Sequence, residues 1–219
     1  MLAFIFDLDG VIIDSMPLHT EAWEAYLDRH GVTADELVAR MHGRRNDEIV
    51  EVFFGGGLTP VQIHDHGAAK EKLFREMMQP RLAEHLVPGV LEFLEKYAHV
   101  PTGLASNAEP ANIDSTLDGA GIRRHFDVIV DGHQVQRPKP FPDIYLRAAQ
   151  LLGIPIGDCI IFEDSPTGIQ AARDSGALVV GVKTHTGDLP PVDLMIDNFH
   201  DPGLEAWLDK TGMVKPSLR

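Results

Sequence analysis

The chain has 219 residues, of which 44% are hydrophobic and 24% charged, as in an ordinary globular protein long enough for one large domain or a domain with an insertion. Its formal net charge of −14 argues against nucleic acid or an anionic membrane as partner, since both are bound through clustered Lys and Arg. The single cysteine, Cys159, excludes an intrachain disulfide and favours the cytoplasm. Neither a targeting segment nor a membrane-spanning run is apparent, so we expect a cytoplasmic protein without a membrane partner.

The first element is a short apolar run, residues 2–6, which predicts a strand buried on both faces. Asp7, Asp9 and Gly10 follow it. If the strand continued, both carboxylates would point the same way, but we expect Gly10 to end it and to turn the chain closely over whatever the acids hold. The pair suits a hard divalent cation, or paired roles as nucleophile and proton donor. The alternative is a plain turn, for which Asp-x-Asp-Gly is a common sequence.

A long helical segment is predicted next, over residues 16–80. Ser15 suits an N-cap, and apolar residues recur after it at helical spacing. Thr33 and Glu36 have the spacing of a capping box that opens a helix through Arg40. Two more helical patterns complete the segment, at residues 46–54 and from 59 to about 78.

From Pro88 onward, strand patterns alternate with helix patterns. This alternation predicts an α/β fold with a parallel sheet covered by helices on both faces. We therefore expect a core of residues 1–15 and 81–219, with residues 16–80 inserted as an all-helical domain. After the first strand, further strands are predicted at residues 100–105, 128–130, 159–162, 178–182 and 194–196.

Four polar residues lie at or just after the ends of these predicted strands: Asp7, Ser106, Asp131 and Asp164. In parallel sheets, ligands bind beyond the carboxyl ends of the strands, near the point where strand order reverses. We therefore expect these residues to share a site.

The later segments supply further candidates for that site. Ser106 and Asn107 could cradle a phosphate with a hydroxyl and backbone N–H groups, or could merely cap the next helix. Lys139 stands between two prolines and suits neutralisation of a phosphate, the alternative being a solvated surface lysine. Glu163 and Asp164 end a buried strand, where two acids are costly unless a cation or hydrogen bonds compensate. The alternative is that Asp164 or Ser165 serves as a helix N-cap.

The string from Phe6 to Ser15, Phe-Asp-Leu-Asp-Gly-Val-x-x-Asp-Ser, resembles the leading motif of the haloacid dehalogenase-like superfamily, in particular its Mg-dependent phosphatases and phosphomutases. The other motifs follow in the family's order as Ser106, Lys139 and Glu163-Asp164. The resemblance implies a Rossmann-like parallel sheet core, an inserted α-helical cap, an Mg²⁺ ion and phosphoryl transfer through an aspartyl phosphate.

The resemblance also implies roles for individual residues. Asp7 would be the nucleophile and a metal ligand. Asp9 would be the general acid and base and would offer its backbone carbonyl to the metal; its presence argues against the dehalogenase branch. Ser106 and Lys139 would hold the transferring phosphoryl group. The metal site would be completed by Asp164, and by Glu163 directly or through water.

Substrate choice is expected to depend on the cap. His19 lies on the first cap helix, and residues 42–46 occupy the position of the family's specificity loop. The alternative for Arg44 and Arg45 in this loop is that they are solvated surface residues without a role in binding. The cap candidates for substrate binding are therefore His19, Gly43, Arg44, Arg45 and Asn46.

We expect a monomeric phosphatase for a small phosphorylated metabolite, with sugar phosphates as one candidate class; the alternative is a β-phosphoglucomutase. In those mutases a second phosphate is held by a Lys-Asn pair shortly after the motif-two serine, together with a cap arginine. The corresponding stretch here is Ser106-Asn107-Ala108-Glu109-Pro110. Glu109 brings a negative charge where a cation is needed, and Pro110 offers no donor. We therefore predict hydrolysis rather than isomerisation.

Overall fold

The computed structural model describes residues 2–41, 46–184 and 187–211. The chain divides into two compact units, one formed by Met1–Asp14 with Leu82–Arg219 and the other by Ser15–Arg81. We call them the core unit and the helical unit. In the part of the chain that the structure describes, no helix is both long and apolar enough to cross a membrane.

The core unit contains a six-stranded sheet in which all neighbouring strands are parallel. The predicted parallel α/β fold is therefore confirmed. Three predicted strands extend one residue further, to the polar residues that end them, Ser106, Asp131 and Glu163. The strands are β1 (Ala3–Phe6), β2 (Thr102–Ser106), β3 (Val128–Asp131), β4 (Cys159–Glu163), β5 (Leu178–Val182) and β6 (Leu194–Ile196).

The strand order is β3-β2-β1-β4-β5-β6. The chain runs outward from β1 to β3 and then returns to the other side of β1 to continue through β4. Strand order thus reverses between β1 and β4, which pair with Phe6 opposite Phe162. Loops leave this point in opposite directions, so a crevice opens at the carboxyl ends of β1 and β4.

Both faces of the central strands β1 and β4 are buried because alternate residues of each enter different apolar clusters. On one face Phe6 stacks on Phe162, with ring centroids 4.6 Å apart, and Phe93 packs against both. On the other face Ile5 and Ile161 belong to the cluster that includes the inward side of the helix at Asp143–Leu152. This double burial explains why the central strands are apolar runs and fixes their ends in position.

The core helices connect successive strands or follow the last one. Ser165 caps one of them, since its hydroxyl accepts a hydrogen bond of 3.1 Å from the N–H of Gly168. The helices of this unit are α5 (Leu82–His85), α6 (Val90–Lys96), α7 (Pro110–Gly119), α8 (Asp143–Leu152), α9 (Pro166–Ser175) and α10 (Pro202–Thr211); the numbers 1–4 belong to the helical unit, which precedes them in the chain.

The helical unit consists of helices inserted between β1 and α5, as predicted. Trp23, Leu27, Ile49 and Leu73 meet in one apolar cluster, which holds the helices together. The helices are α1 (Met16–Arg29), α2 (Leu37–Met41), α3 (Asn46–Phe54) and α4 (Pro60–Met78).

Two predicted helix starts differ from the structure. The capping box at Thr33 and Glu36 is wrong, because α2 begins only at Leu37 and Glu36 has a left-handed backbone with φ of 54°, which a helical N3 residue cannot adopt. Ser15 does precede α1, but its own backbone is helical and its side chain makes no capping bond. The helix start predicted at residue 59 agrees with the structure, where Thr59 and Gln62 form a capping box at the N-terminus of α4.

Candidate active site

The loop after β1 brings its acids to the crevice. Asp7 is buried and its N–H donates to the carbonyl of Phe162, 3.0 Å away, which ties the loop to β4. Asp9 is half-buried. Gly10 has φ of +76°, and a Cβ there would lie 1.9 Å from Oδ2 of Asp164. Only glycine therefore permits this turn and this close approach, as the sequence predicted.

Three buried acids meet where β1 and β4 end. Carboxylate oxygens of Asp7, Glu163 and Asp164 all lie within 4.8 Å of one another. A compact set of buried carboxylate oxygens is the kind of ligand set that a hard divalent cation requires, so this cluster could hold such an ion.

Lys139 adds a positive charge to the cluster. Its side chain is only 4% exposed, with Nζ 2.8 Å from Oδ1 of Asp7 and 2.7 Å from Oε1 of Glu163. Burial acts to lower the pKa of Lys139, but the charges of the two carboxylates outweigh it and raise that pKa above its ordinary value. Lys139 is therefore a buried cation at the acidic cluster, and the alternative of a solvated surface lysine is wrong.

Glu163 is engaged through both of its oxygens. Oε1 accepts hydrogen bonds from Lys139 and from the hydroxyl of Tyr145. Oε2 accepts from the N–H of Asp164, and from the N–H and hydroxyl of Ser165. Burial acts to raise the pKa of Glu163, but Lys139 and these donors outweigh it and lower the pKa. Glu163 is thus a stable carboxylate that fixes Lys139 and the loop after β4.

The pKa values of Asp7 and Asp164 are shifted in the opposite direction, upward. Burial raises the pKa of Asp7, and the charges of Glu163 and Asp9 add to the effect while Lys139 partly offsets it. Burial also raises the pKa of Asp164, with Glu163, Asp7 and Asp9 acting in the same direction. Without a cation, these acids repel one another and hold protons that they would lose in water.

Ser106 is buried at the end of β2, the neighbour of β1 in the sheet. Its Oγ accepts a hydrogen bond of 3.1 Å from the N–H of Ala108, so it stabilises the loop before α7 rather than capping that helix. Asn107 is exposed. Asp131 closes its own turn by accepting hydrogen bonds from residues 133 and 134, and it is not part of the acidic cluster.

Within the helical unit, His19 and Asn46 join one polar cluster through a buried ion pair. Lys70 and Glu71 form this pair at 2.9 Å and are almost completely buried. Lys70 Nζ lies 2.7 Å from Nδ1 of His19, whose ring stacks on Phe74. Asn46 donates to Oε1 of Glu71 at 2.5 Å. Burial, reinforced by the charge of Lys70, lowers the pKa of His19 to about 3, so this histidine is neutral.

The remaining cap candidates, Gly43, Arg44 and Arg45, lie outside the described residues.

The structure also reveals polar residues that the sequence reasoning missed. Tyr145 lies on the apolar side of α8, and a buried tyrosine hydroxyl generally has a partner, here Glu163. Lys70 and Glu71 occupy the buried stripe of α4, where charged residues in apolar positions are a signal in themselves. Thr184 follows β5, so the search for polar residues at strand ends would have found it if extended to that strand.

A family model described as haloacid dehalogenase-like hydrolase matches residues 1–176. The chain belongs to the haloacid dehalogenase-like hydrolase family. The match confirms the family that the motifs predicted. The Rossmann-like sheet is the fold of this family.

Individual relatives of this haloacid dehalogenase-like chain agree. It is 32% identical to the fructose-1-phosphate phosphatase YqaB of Escherichia coli strain K12 over 82% of this chain and 95% of the relative. It is also 32% identical to the β-phosphoglucomutase of Bacillus subtilis strain 168 over 83% of each chain. A crystal structure of a family IA, variant 3 hydrolase from Entamoeba histolytica superposes with a TM-score of 0.84 and 26% identity, covering 95% of this chain and 98% of the other.

The acidic cluster predicts a pH dependence of stability in metal-free protein. The pKa values of Asp7 and Asp164 are raised from 3.8 to about 7 and about 8. Because the folded protein keeps these protons longer than the unfolded chain, the stabilisation is complete below the unfolded value of 3.8 and is lost as the pH rises through 7 to 8. In EDTA we expect each group to lower the free energy of unfolding by about 1.4 kcal/mol per pH unit between its unfolded and its folded pKa, so the total loss is several kcal/mol.

Thermal or urea unfolding of wild type and Asp164→Asn, each followed against pH in EDTA, measures this loss. The variant removes one of the two raised carboxyls, so its unfolding free energy should fall less with rising pH than that of wild type. Parallel pH profiles for the two proteins would contradict the assignment of the raised pKa to Asp164.

Proposed function

We propose that the protein is an Mg²⁺-dependent phosphatase that hydrolyses a small phosphorylated metabolite, with sugar phosphates as the favoured class, through a phosphoryl-aspartate at Asp7. The observation that carries the proposal is the cluster of Asp7, Lys139, Glu163 and Asp164 at the reversal point of the sheet. Phosphoryl transfer depends chiefly on positioning and on neutralising charge at the phosphoryl oxygens, and this cluster offers a carboxylate nucleophile beside a fixed cation.

Asp7 and Asp9 have different roles in the reaction: Asp7 is the nucleophile, and Asp9 is the general acid and base. The Asp7 carboxylate attacks phosphorus, the bond from phosphorus to the ester oxygen breaks, and Asp9 donates its proton to that oxygen. Asp9, now ionised, then takes a proton from water, which attacks the phosphoryl-aspartate and releases inorganic phosphate and the Asp7 carboxylate. Both groups follow β1, so one short loop carries the nucleophile and the proton donor.

The acids fit a magnesium ion. Asp7, Asp164 and the backbone carbonyl of Asp9 would hold it, with Glu163 contributing directly or through water, and the ion would neutralise charge on the phosphoryl oxygens. Because the oxygens of Glu163 already accept hydrogen bonds from Lys139 and other donors, we favour the contribution through water.

Lys139 counters the repulsion between Asp7 and an anionic ester. The net charge of −14 makes such a local cation necessary, since the protein's overall field repels a phosphate. Glu163 holds Nζ beside Asp7 before substrate arrives, so little rearrangement is needed when charge develops on the phosphoryl group. We assign Ser106 and Asn107 to the same phosphoryl group, since β2 ends beside β1.

The family relatives support the substrate class. A fructose-1-phosphate phosphatase and a hexitol phosphatase A, both of Escherichia coli, are among them. We assign recognition of the rest of the substrate to His19 and Asn46 of the helical unit, together with the segment that contains Gly43, Arg44 and Arg45. A neutral His19 suits hydroxyl groups rather than a second phosphate.

The stretch after β2 favours hydrolysis over isomerisation. Pro110 begins α7 and has no N–H, and Glu109 lies exposed immediately before it. A carboxylate near a second phosphate is a repulsive element that rejects a bisphosphate. The second candidate, a β-phosphoglucomutase, is favoured by the 32% identity to the Bacillus subtilis enzyme, so it needs a direct test.

The first test concerns the two aspartates. Asp7→Asn should abolish turnover because it removes the nucleophile, and Asp9→Asn should lower kcat by about 10²–10⁴-fold, as expected for a lost general acid and base. Glu92→Gln, which changes an exposed acid on α6, is the matched control and should keep wild-type activity. Phosphate release from a panel of sugar phosphates measures all three; an active Asp7→Asn protein would refute the mechanism.

The second test separates hydrolysis from isomerisation. The protein is incubated with β-glucose 1-phosphate, a trace of glucose 1,6-bisphosphate and Mg²⁺, while glucose 6-phosphate and free phosphate are both followed, beside the same sugar phosphate panel. We expect phosphate release from the panel without accumulation of glucose 6-phosphate. Rapid and stoichiometric formation of glucose 6-phosphate with little free phosphate would establish the mutase instead.

A further inference from the structure

Thr184, which follows β5, contacts two parts of the active site. Its Oγ1 lies 2.6 Å from the carbonyl oxygen of Gly10 and 3.1 Å from Oδ2 of Asp164. Gly10 belongs to the loop after β1 and Asp164 to the loop after β4. One hydroxyl therefore joins the ends of three strands that lie next to one another in the sheet.

The backbone around Thr184 is itself held in place. The N–H of Thr184 donates to the carbonyl of Val182, and the N–H of Lys183 donates to the carbonyl of Ile196 in β6, each at 3.0 Å. The hydroxyl is therefore presented from an anchored turn. Side chains fixed in this way lose little further conformational entropy when they hold a partner.

The carboxylate of Asp164 is confined from two directions. On one side the bare Cα of Gly10 leaves room for it, since a Cβ there would lie 1.9 Å from Oδ2. On the other side Oγ1 of Thr184 lies within hydrogen-bond distance of the same oxygen, the only such contact of this carboxylate among the described residues. Oδ2 is thus occupied by the protein, and Oδ1 is left as the oxygen that no described donor engages.

We propose that Thr184 is a positioning residue for the metal site: its hydroxyl fixes Asp164 against Gly10 so that the carboxylate is orientated to bind Mg²⁺. This inference rests on the metal site of the proposed function. A hydroxyl rotates to suit its acceptors, and its hydrogen bond to an ionised carboxylate is stronger than that to a neutral carbonyl. The proton of Thr184 can therefore serve Asp164 whenever that residue is a charged ligand.

Groups that orientate metal ligands usually matter to affinity, and their loss typically weakens metal binding about 10–100-fold. Thr184→Val removes the hydroxyl at nearly constant volume, whereas Thr184→Ser keeps the hydroxyl and removes only the methyl group. A purely structural role for the methyl group would make the serine variant the weaker of the two. The pair therefore separates orientation of Asp164 from packing.

The experiment titrates MgCl₂ into metal-free wild type, Thr184→Val and Thr184→Ser at constant ionic strength. Affinity is read from calorimetry and from the Mg²⁺-dependent rise in Tm, and the half-saturating Mg²⁺ concentration for phosphate release is measured separately. We expect Thr184→Val to bind Mg²⁺ about 10–100-fold more weakly, with activity largely restored at saturating Mg²⁺, and Thr184→Ser to resemble wild type. If the valine variant does not fold, Thr184→Ala replaces it.

Wild-type Mg²⁺ affinity in the folded variant without the hydroxyl would overturn the proposal while leaving the proposed function intact. Equal weakening in the serine variant would also overturn it, since the hydroxyl would then not be the cause. A wild-type protein that binds no Mg²⁺ would overturn both the metal site and this inference, a result that the same titration distinguishes from the other two.

Discussion

The buried contact of Lys139 with Asp7 and Glu163 is the interaction on which the site depends. Three carboxylates within 4.8 Å of one another could not remain ionised in a buried place without compensation. Lys139 supplies one positive charge, and the donors around Glu163 stabilise that carboxylate further. The remaining excess of negative charge falls on Asp7 and Asp164, whose raised pKa values express it. A divalent cation at the same place would complete the balance of charge.

The sheet makes this concentration of charge possible. β1 and β4 are buried on both faces, and their apolar residues anchor the strands up to the last residue before the acids. Phe6 and Phe162 stack immediately before Asp7 and Glu163. Because these strands are held so firmly, repulsion among the acids cannot be relieved by moving their backbones apart. The repulsion instead raises the pKa values of Asp7 and Asp164, and a bound cation would relieve it.

Much of the core unit could be predicted from the sequence because its signals are local. Apolar runs of strand length and alternating helices define the parallel sheet, and the acids beyond β1 and β4 mark its functional edge. The three acids of the cluster were therefore predictable from the sequence, as was the need for glycine at position 10. The position of Lys139 was predictable from the family motif, but its burial between two carboxylates was not, since an exposed lysine would have had the same local sequence.

What the sequence did not reveal depends on contacts between distant segments. Tyr145 and Glu163 are 18 residues apart and Thr184 and Gly10 are 174 apart, so no local pattern announces these hydrogen bonds. The turn at Glu36 shows the converse error. Its spacing from Thr33 matched a capping box, but Glu36 has a left-handed backbone and α2 begins only at Leu37, so residue spacing alone did not determine the helix start.

The central claim is that Asp7 carries the phosphoryl group during turnover. The most direct measurement is to mix wild-type enzyme with excess sugar phosphate and Mg²⁺, quench within the first turnover, reduce with borohydride and sequence the peptides by mass spectrometry. An acyl phosphate is reduced to an alcohol, so the account predicts that Asp7 is recovered as homoserine and that Asp9 is unchanged. Phosphate release with Asp7 intact throughout, or homoserine at another position, would contradict it.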